Sequence, residues 1–252
     1  MNFLPAWKYQ MDGMKWPLII FYIVIAALLI LMGVSMSIAV REGNQFNVGG
    51  MEMASVVFIF VCGLNSFRST FHMLSANGVS RKTMFVSFVA VLGAVAAGMA
   101  VIDSTVSVVM RGIGSYGPGI GNYEPGFMQM YGIESYSTAS VLTGLLWMFC
   151  CNLAAGMGGY LITTLFYRMN KPVKLLISIG VPVLLLFVWP MADLVLFGGA
   201  VSTAFFQLVG WAFGFMDGNP FMGIVSNVLL ALIFTALSFI ALRRVPLKAR
   251  QQ

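Results

Sequence analysis

Charge is what this chain has least of. Only 9% of its 252 residues are Asp, Glu, Lys or Arg, against 60% hydrophobic residues and a mean hydropathy of +0.92. That is too little polar surface to clothe a soluble globule. Histidine is reduced to His72 alone, and no Gly-x-Ser-x-Gly, His-Glu-x-x-His or carboxylate pair is visible along the chain. These absences argue against hydrolytic and metal-dependent chemistry, which need such groups close together. The three cysteines, Cys62, Cys150 and Cys151, sit inside apolar runs with no other ligand types around them. They read as small packing residues rather than disulfides or metal ligands. Gly78–Thr83 ends in Lys-Thr, but Met73 stands where a P-loop requires its first glycine. The chain is therefore expected to bind no ATP, metal or other cofactor itself and to be no enzyme.

Long apolar stretches are abundant instead. A helix crosses the bilayer core with about 20 apolar residues. Six segments meet that length: 17–40, 52–74, 84–107, 138–166, 174–197 and 223–242. The expected fold is an all-α polytopic membrane protein of six transmembrane helices in a single domain over residues 1–252. Ser37-Ile38-Ala39 faintly resembles a cleavage site, but the apolar run before it exceeds a signal peptide's core, so it is expected to stay as the first span. Residues 1–15 carry Phe3, Leu4, Trp7, Met11 and Met14 at helical spacing against Lys8, Gln10, Asp12 and Lys15. This predicts an amphipathic interfacial helix, with Pro17 opening the next helix. Pro182 and Pro190 are expected to bend the fifth span.

Orientation follows from the basic residues. With both termini inside, the inner segments hold Lys8, Lys15, Arg68, Arg81, Lys82, Arg168, Lys171, Lys174, Arg243, Arg244, Lys248 and Arg250, leaving Arg41 and Arg111 outside. The net charge of +6 and pI of about 9.4 are thereby explained by topology rather than by nucleic-acid binding. Residues 243–252 form an inner tail.

Two outer segments stand out. Residues 108–137, rich in glycine (Gly112, Gly114, Gly117, Gly119, Gly121) and tyrosine (Tyr116, Tyr123, Tyr131, Tyr136), read as irregular turns or a flexible cover. Residues 199–222 are too apolar for a wet loop and too short to cross twice, which predicts a re-entrant outer element before the last span, with Phe205 and Phe206 in it. Asp103 and Asp193 fall near the outer ends of their spans. They read as interfacial carboxylates paired with Arg41 or Arg111, or as part of a translocation path with Phe205 and Phe206. Small-residue patches on the fourth span (Ala154, Ala155, Gly156, Gly158, Gly159) and the third (Gly93, Ala94, Ala97, Gly98) predict close helix packing. The nineteen methionines suit a core, and also a surface that adapts to apolar ligands.

The most specific stretch is Asn65–Phe85, reading Asn-Ser-Phe-Arg-Ser-Thr-Phe-His-Met-Leu-Ser-Ala-Asn-Gly-Val-Ser-Arg-Lys-Thr-Met-Phe. It resembles the connection between the second and third spans of type-2 ABC exporter permeases, as found in bacterial peptide, bacteriocin-immunity and drug exporters. The resemblance is close over these residues and elsewhere is one of layout only; the 108–137 segment is longer than in minimal members. It implies a permease of the bacterial plasma (inner) membrane that pairs with a second permease copy, identical or homologous. Separate ABC ATPase subunits would carry the ATP and Mg. Arg68, Phe71, His72, Leu74, Asn77, Gly78, Val79, Ser80, Arg81 and Lys82 would form the ATPase-coupling segment, braced by Trp7, Lys8 and Met11. The cargo would be amphipathic or apolar: a peptide, toxin, antimicrobial or lipid-like molecule. Two other readings stay open, an ion-coupled secondary transporter using Asp103 or Asp193 and a non-transporting immunity or scaffold protein in the membrane.

Overall fold

The computed structural model describes residues 3–41, 47–116 and 122–243. Side chains are described for most of these, but not for Arg41, Arg68 or Lys171. Gly117, Gly119, Gly121, Arg244, Lys248 and Arg250 lie outside the described residues, as does the tail beyond 243. The elements in chain order are α1 (Phe3–Arg41), β1 (Asn47–Gly49), α2 (Glu52–Ala76), α3 (Arg81–Tyr116), β2 (Asn122–Glu124) and α4 (Gly126–Tyr131), then α5 (Thr138–Arg168), α6 (Lys171–Val183), α7 (Trp189–Phe197), α8 (Ala200–Ala212) and α9 (Pro220–Arg243). A π-helical turn, Leu184–Val188, joins α6 to α7 without a break. Six helical segments among the described residues are long and apolar enough to cross a membrane: Phe3–Ser35, Glu52–Ala76, Arg81–Gly112, Thr138–Arg168, Pro172–Phe197 and Pro220–Arg243.

α5 is the central helix, packed against α2, α3 and α9, while α1 leans on α3. Its glycines are what allow this. A methyl group at Gly159 would stand 2.2 Å from the carbonyl oxygen of Phe60, and one at Gly63 would stand 2.2 Å from that of Gly156. The α2 and α5 backbones therefore touch, as small residues permit. Gly158 faces the Phe234 ring of α9 in the same way. The small-residue patch expected on the fourth span is thus a packing surface. The corresponding patch on the third span is not: nothing lies within 4 Å of a methyl group placed at Gly93 or Gly98.

The two ends of the bundle differ in charge. At one end Gln10 Nε2 donates to the Met84 carbonyl (3.3 Å), Arg81 Nη1 donates to the Arg243 carbonyl (3.0 Å), and Tyr167 OH lies 3.3 Å from His72 Nε2. These contacts gather Lys8, Arg81, Lys82, Arg168 and Arg243 at a common basic end. The opposite end carries Glu52, Arg111, Glu124 and Glu134 and is closed by the β1–β2 pair and α4.

Several expectations need correction. α1 runs through Pro17 without interruption, so residues 3–15 continue the first span rather than forming a separate helix. The proline forfeits one hydrogen bond, and the turns on either side carry the helix through. The inward face of this stretch is Ala6, Gln10 and Met14, with Trp7 and Met11 partly buried beside them, while Leu4 is exposed. The 108–137 segment is less irregular than expected. Its described part extends α3 to Tyr116, pairs β2 in parallel with β1, and forms α4, whose Phe127, Met128 and Tyr131 are buried. Tyr131 OH receives the Trp147 indole N–H (3.0 Å) and donates to the Phe213 carbonyl (3.0 Å), tying this cover to α5 and to the turn after α8.

The fifth span behaves unlike the others. From 172 to 197 every residue is exposed except half-buried Ile177 and buried Asp193. Pro190 has no N–H for the Leu186 carbonyl and its ring crowds that oxygen. The wider turn relieves this, with the Trp189 N–H bonding to the Leu184 carbonyl. After the left-handed pair Gly198 and Gly199, α8 folds back beside α7.

Candidate functional site

The chain's polar groups converge where α1, α2, α3 and the β2–α4 corner meet, at the end opposite the basic one. Glu52 opens α2 and is buried. The β1–β2 register pairs Gly49 with Glu124, and Gly49 is a glycine because a methyl group there would fall on the Glu124 carbonyl. That register carries the Gly126 N–H to Glu52 Oε2 (3.2 Å) and the Tyr123 OH to Glu52 Oε1 (3.3 Å). Ser107 Oγ of α3 also donates to Glu52 Oε1. Three donors from three elements, α3, β2 and α4, therefore hold one carboxylate. Burial, and after it the Glu52 charge, pushes the Tyr123 phenol well above its ordinary pKa, so it stays a donor.

Asp103 lies one turn before Ser107 on the same face of α3 and is 6% exposed. Tyr22 OH of α1 donates to its Oδ1 at 3.1 Å. Its Oδ2 is buried without a well-aligned hydrogen bond among the described residues, and the buried Ser55 hydroxyl of α2 also lies against this carboxyl. Glu52, Asp103, Ser104 and Ser107 form the polar wall of a cavity of about 40 Å³, whose remaining wall includes Phe127, Tyr136, Trp147 and Met148. The single base nearby among the described side chains, Arg111, does not pair with either acid. Its guanidinium lies 4.4 Å above the Tyr136 ring, with Nη1 3.9 Å from Met128 Sδ. Of the two expected partners of Asp103, Arg111 is turned away from it, and the side chain of Arg41 lies outside those described. Lys15–Asp12 is the sole ion pair among the described residues, and it lies far from this cavity at the start of α1.

Asp193 has a different task. Its Oδ1 and Oδ2 accept the Val201 N–H (3.1 Å) and Ser202 N–H (2.7 Å), capping the first turn of α8. Among the described residues it contacts neither the Asp103 cluster nor an arginine. Phe205 and Phe206 pack edge to face on each other and are 55% and 68% exposed, so the four residues expected on one path are not brought together. Asp193→Ala removes the cap and is expected to loosen the first turn of α8. Hydrogen exchange at the Val201 and Ser202 amides should accelerate several-fold while α5 amides are unchanged; unchanged exchange at both would refute the capping role.

A second, wholly different cavity lies between α1 and α3. It measures about 730 Å³, opens sideways, and is lined by Leu18, Ile19, Tyr22, Leu29, Ala94, Gly98 and Ile102. The open third-span patch is one wall of this cleft.

At the basic end, α2 closes on Asn77, whose Nδ2 donates to the Met73 carbonyl (2.8 Å), and Gly78 takes φ +70°. Ser80 Oγ then accepts the Thr83 N–H (3.2 Å) to start α3. Phe71 and Leu74, placed by the resemblance in the ATPase-coupling segment, are 3% and 5% exposed and belong to the core with Phe67 and Phe88; Val79 is partly buried against it. His72, Asn77, Gly78, Ser80 and Lys82 are exposed. Glu52, Tyr22, Ser107 and Tyr123 escaped the sequence reading. The one available signal was Asp103 and Ser107 at helical spacing within a span. No family model, curated protein or solved structure matches the chain.

Proposed function

We propose that this chain is the membrane permease subunit of an exporter powered by a separate ABC ATPase, working beside a second permease copy in a bacterial plasma membrane. The observation that carries the reading is the Asn77–Ser80 turn. It is capped on both sides, seated on the core by Phe71 and Leu74, and braced by the Gln10–Met84 bond. A rigid polar knob at the basic end suits docking of a soluble subunit, and the positive-inside rule puts that end, with both termini, in the cytoplasm. Contact would run through His72, Asn77, Ser80 and Lys82 rather than through the buried aromatic residues. On this reading the start of α1 lies at headgroup depth with Trp7 and Trp16, and α8 is the re-entrant element, dipping in from outside. The sideways apolar cleft between α1 and α3 supports a cargo with a large apolar part.

The test is co-expression with the P-loop ATPase of an adjacent reading frame, and purification through a tag on this chain. Wild type should retain the ATPase. The variant Lys82→Glu should lose at least tenfold of the retained ATP turnover with an unchanged thermal midpoint, because that side chain is exposed. Failure of the wild type to retain any ATPase would overturn the proposal. It would favour the second reading, an ion-coupled carrier, for which the buried Asp103 beside Glu52 is the supporting observation.

A further inference from the structure

We infer that the cleft between α1 and α3 holds one acyl chain of a bilayer phospholipid, whose phosphate sits at Lys15 and whose ammonium sits at Asp12. The two helices rise side by side from the basic end. Gln10 reaches the Met84 carbonyl, and further along Tyr22 OH lies 3.4 Å from the Met99 carbonyl and 3.1 Å from Asp103 Oδ1. The space beside these contacts stays open because α3 presents Ala94 and Gly98 to it, and nothing lies within 4 Å of a methyl group placed at Gly98. The cleft of about 730 Å³ falls within the roughly 300–1,000 Å³ of small-molecule sites.

The lining decides what kind of molecule fits. Every lining residue is Met, Leu, Ile, Val, Ala or Gly except Tyr22, whose hydroxyl is engaged by Asp103. A peptide laid here would bury N–H and C=O groups without partners, whereas a hydrocarbon chain has none to satisfy. On α3 the lining runs from Ala94 to Val106, about 18 Å at 1.5 Å per residue. That is a little over half of the roughly 30 Å hydrocarbon core, the depth of one leaflet. On α1 the lining residues Met11, Leu18, Tyr22, Ile25 and Leu29 fall on one stripe, and Lys15 fills its one gap, toward the basic end. Lys15 Nζ and Asp12 Oδ1 are 2.5 Å apart with both side chains mostly exposed, so the pair is weak in itself and open to further partners. A head carrying a phosphate and an ammonium complements this couple of opposite charges. Trp16, 71% exposed beside it, is the residue type that belongs at headgroup depth. The proposal rests on the chain spanning a bilayer and not on what drives transport.

The full chain is stripped of lipid in detergent and titrated with dioleoyl phosphatidylethanolamine, and bound lipid is counted by native mass spectrometry. One lipid per chain is expected. Dioleoylglycerol, with the same chains and no charged head, should bind about fivefold more weakly, as should the phospholipid to Lys15→Gln. Gly98→Phe, which fills the cleft, should weaken binding at least about tenfold. Gly180→Phe is the control: it adds the same ring to the exposed fifth span, where nothing lies within 4 Å either, and should bind as wild type does. Should Gly98→Phe fail to fold, Ala94→Leu narrows the same cleft in its place. No bound lipid, equal binding in the cleft variant, or an equal loss in Gly180→Phe would overturn the site. Undiminished binding to Lys15→Gln would overturn the placement of the head.

Discussion

Gly159→Val is expected to leave almost no folded protein in detergent. The added carbon would stand 2.2 Å from the Phe60 carbonyl oxygen and 3.0 Å from the Leu64 nitrogen, and both are backbone atoms that cannot rotate aside. α2 and α5 must separate at their crossing. Separation also strips the Thr163 hydroxyl from the Leu64 carbonyl, and pulls Phe67 from Tyr160, whose rings meet edge to face at 5.5 Å. Overpacking of this kind costs upwards of about 3 kcal/mol when no side chain can yield. Gly98→Val is the control. It adds the same atoms to a glycine with nothing within 4 Å and should shift stability by less than about 0.5 kcal/mol. An SDS-titrated unfolding curve separates the two, and coincident midpoints would refute the backbone contact.

Glu52→Ala should release the cover at the opposite end of the bundle. Losing the carboxylate deprives Ser107, Tyr123 and the Gly126 N–H of their common acceptor. Hydrogen bonds to a charged group are worth about 1.5–3 kcal/mol each, and abandoned buried donors about 1–3 kcal/mol. A total loss of about 3 kcal/mol or more follows. The loss should appear first as proteolysis within 122–136, at least tenfold faster than in wild type. Glu52→Gln keeps one acceptor oxygen and should fall between. Asp103→Asn touches none of the cover and should leave the cutting rate alone. A protease-resistant cover in Glu52→Ala would mean that the Tyr131–Trp147–Phe213 bonds hold it unaided.

The spans were legible because a run of about 20 apolar residues has few other destinations. Their partners were not. Gly156–Gly159 and Gly93–Gly98 look alike as patterns, yet one meets α2 backbone and the other borders an open cleft. Small residues announce that a close approach is allowed, not that a neighbour comes. The same limit explains Phe71 and Leu74. Helical spacing marks an apolar face, and a face turned to the chain's own core repeats as one turned to a partner does. Asp103 was visible as an acid near the outer end of an apolar stretch. Its relation to Glu52 depended on the parallel β1–β2 pairing and the packing of α2 on α3, neither of which leaves a periodic trace.

The solitary fifth span bears on how the chain is made. That helix, at a mean hydropathy of 2.3, is exposed along nearly its whole length. It can leave the insertion channel unaided on its own apolarity. The second span, at 1.4, carries Glu52, Asn65 and Arg68. Its closest neighbour is α5, which is synthesised only after α3 and the outer cover. Synthesis and assembly therefore run in different orders. α2 emerges early and stays poorly sheltered until the fourth span arrives, so a ribosome halted before α5 strands the most polar span in the chain.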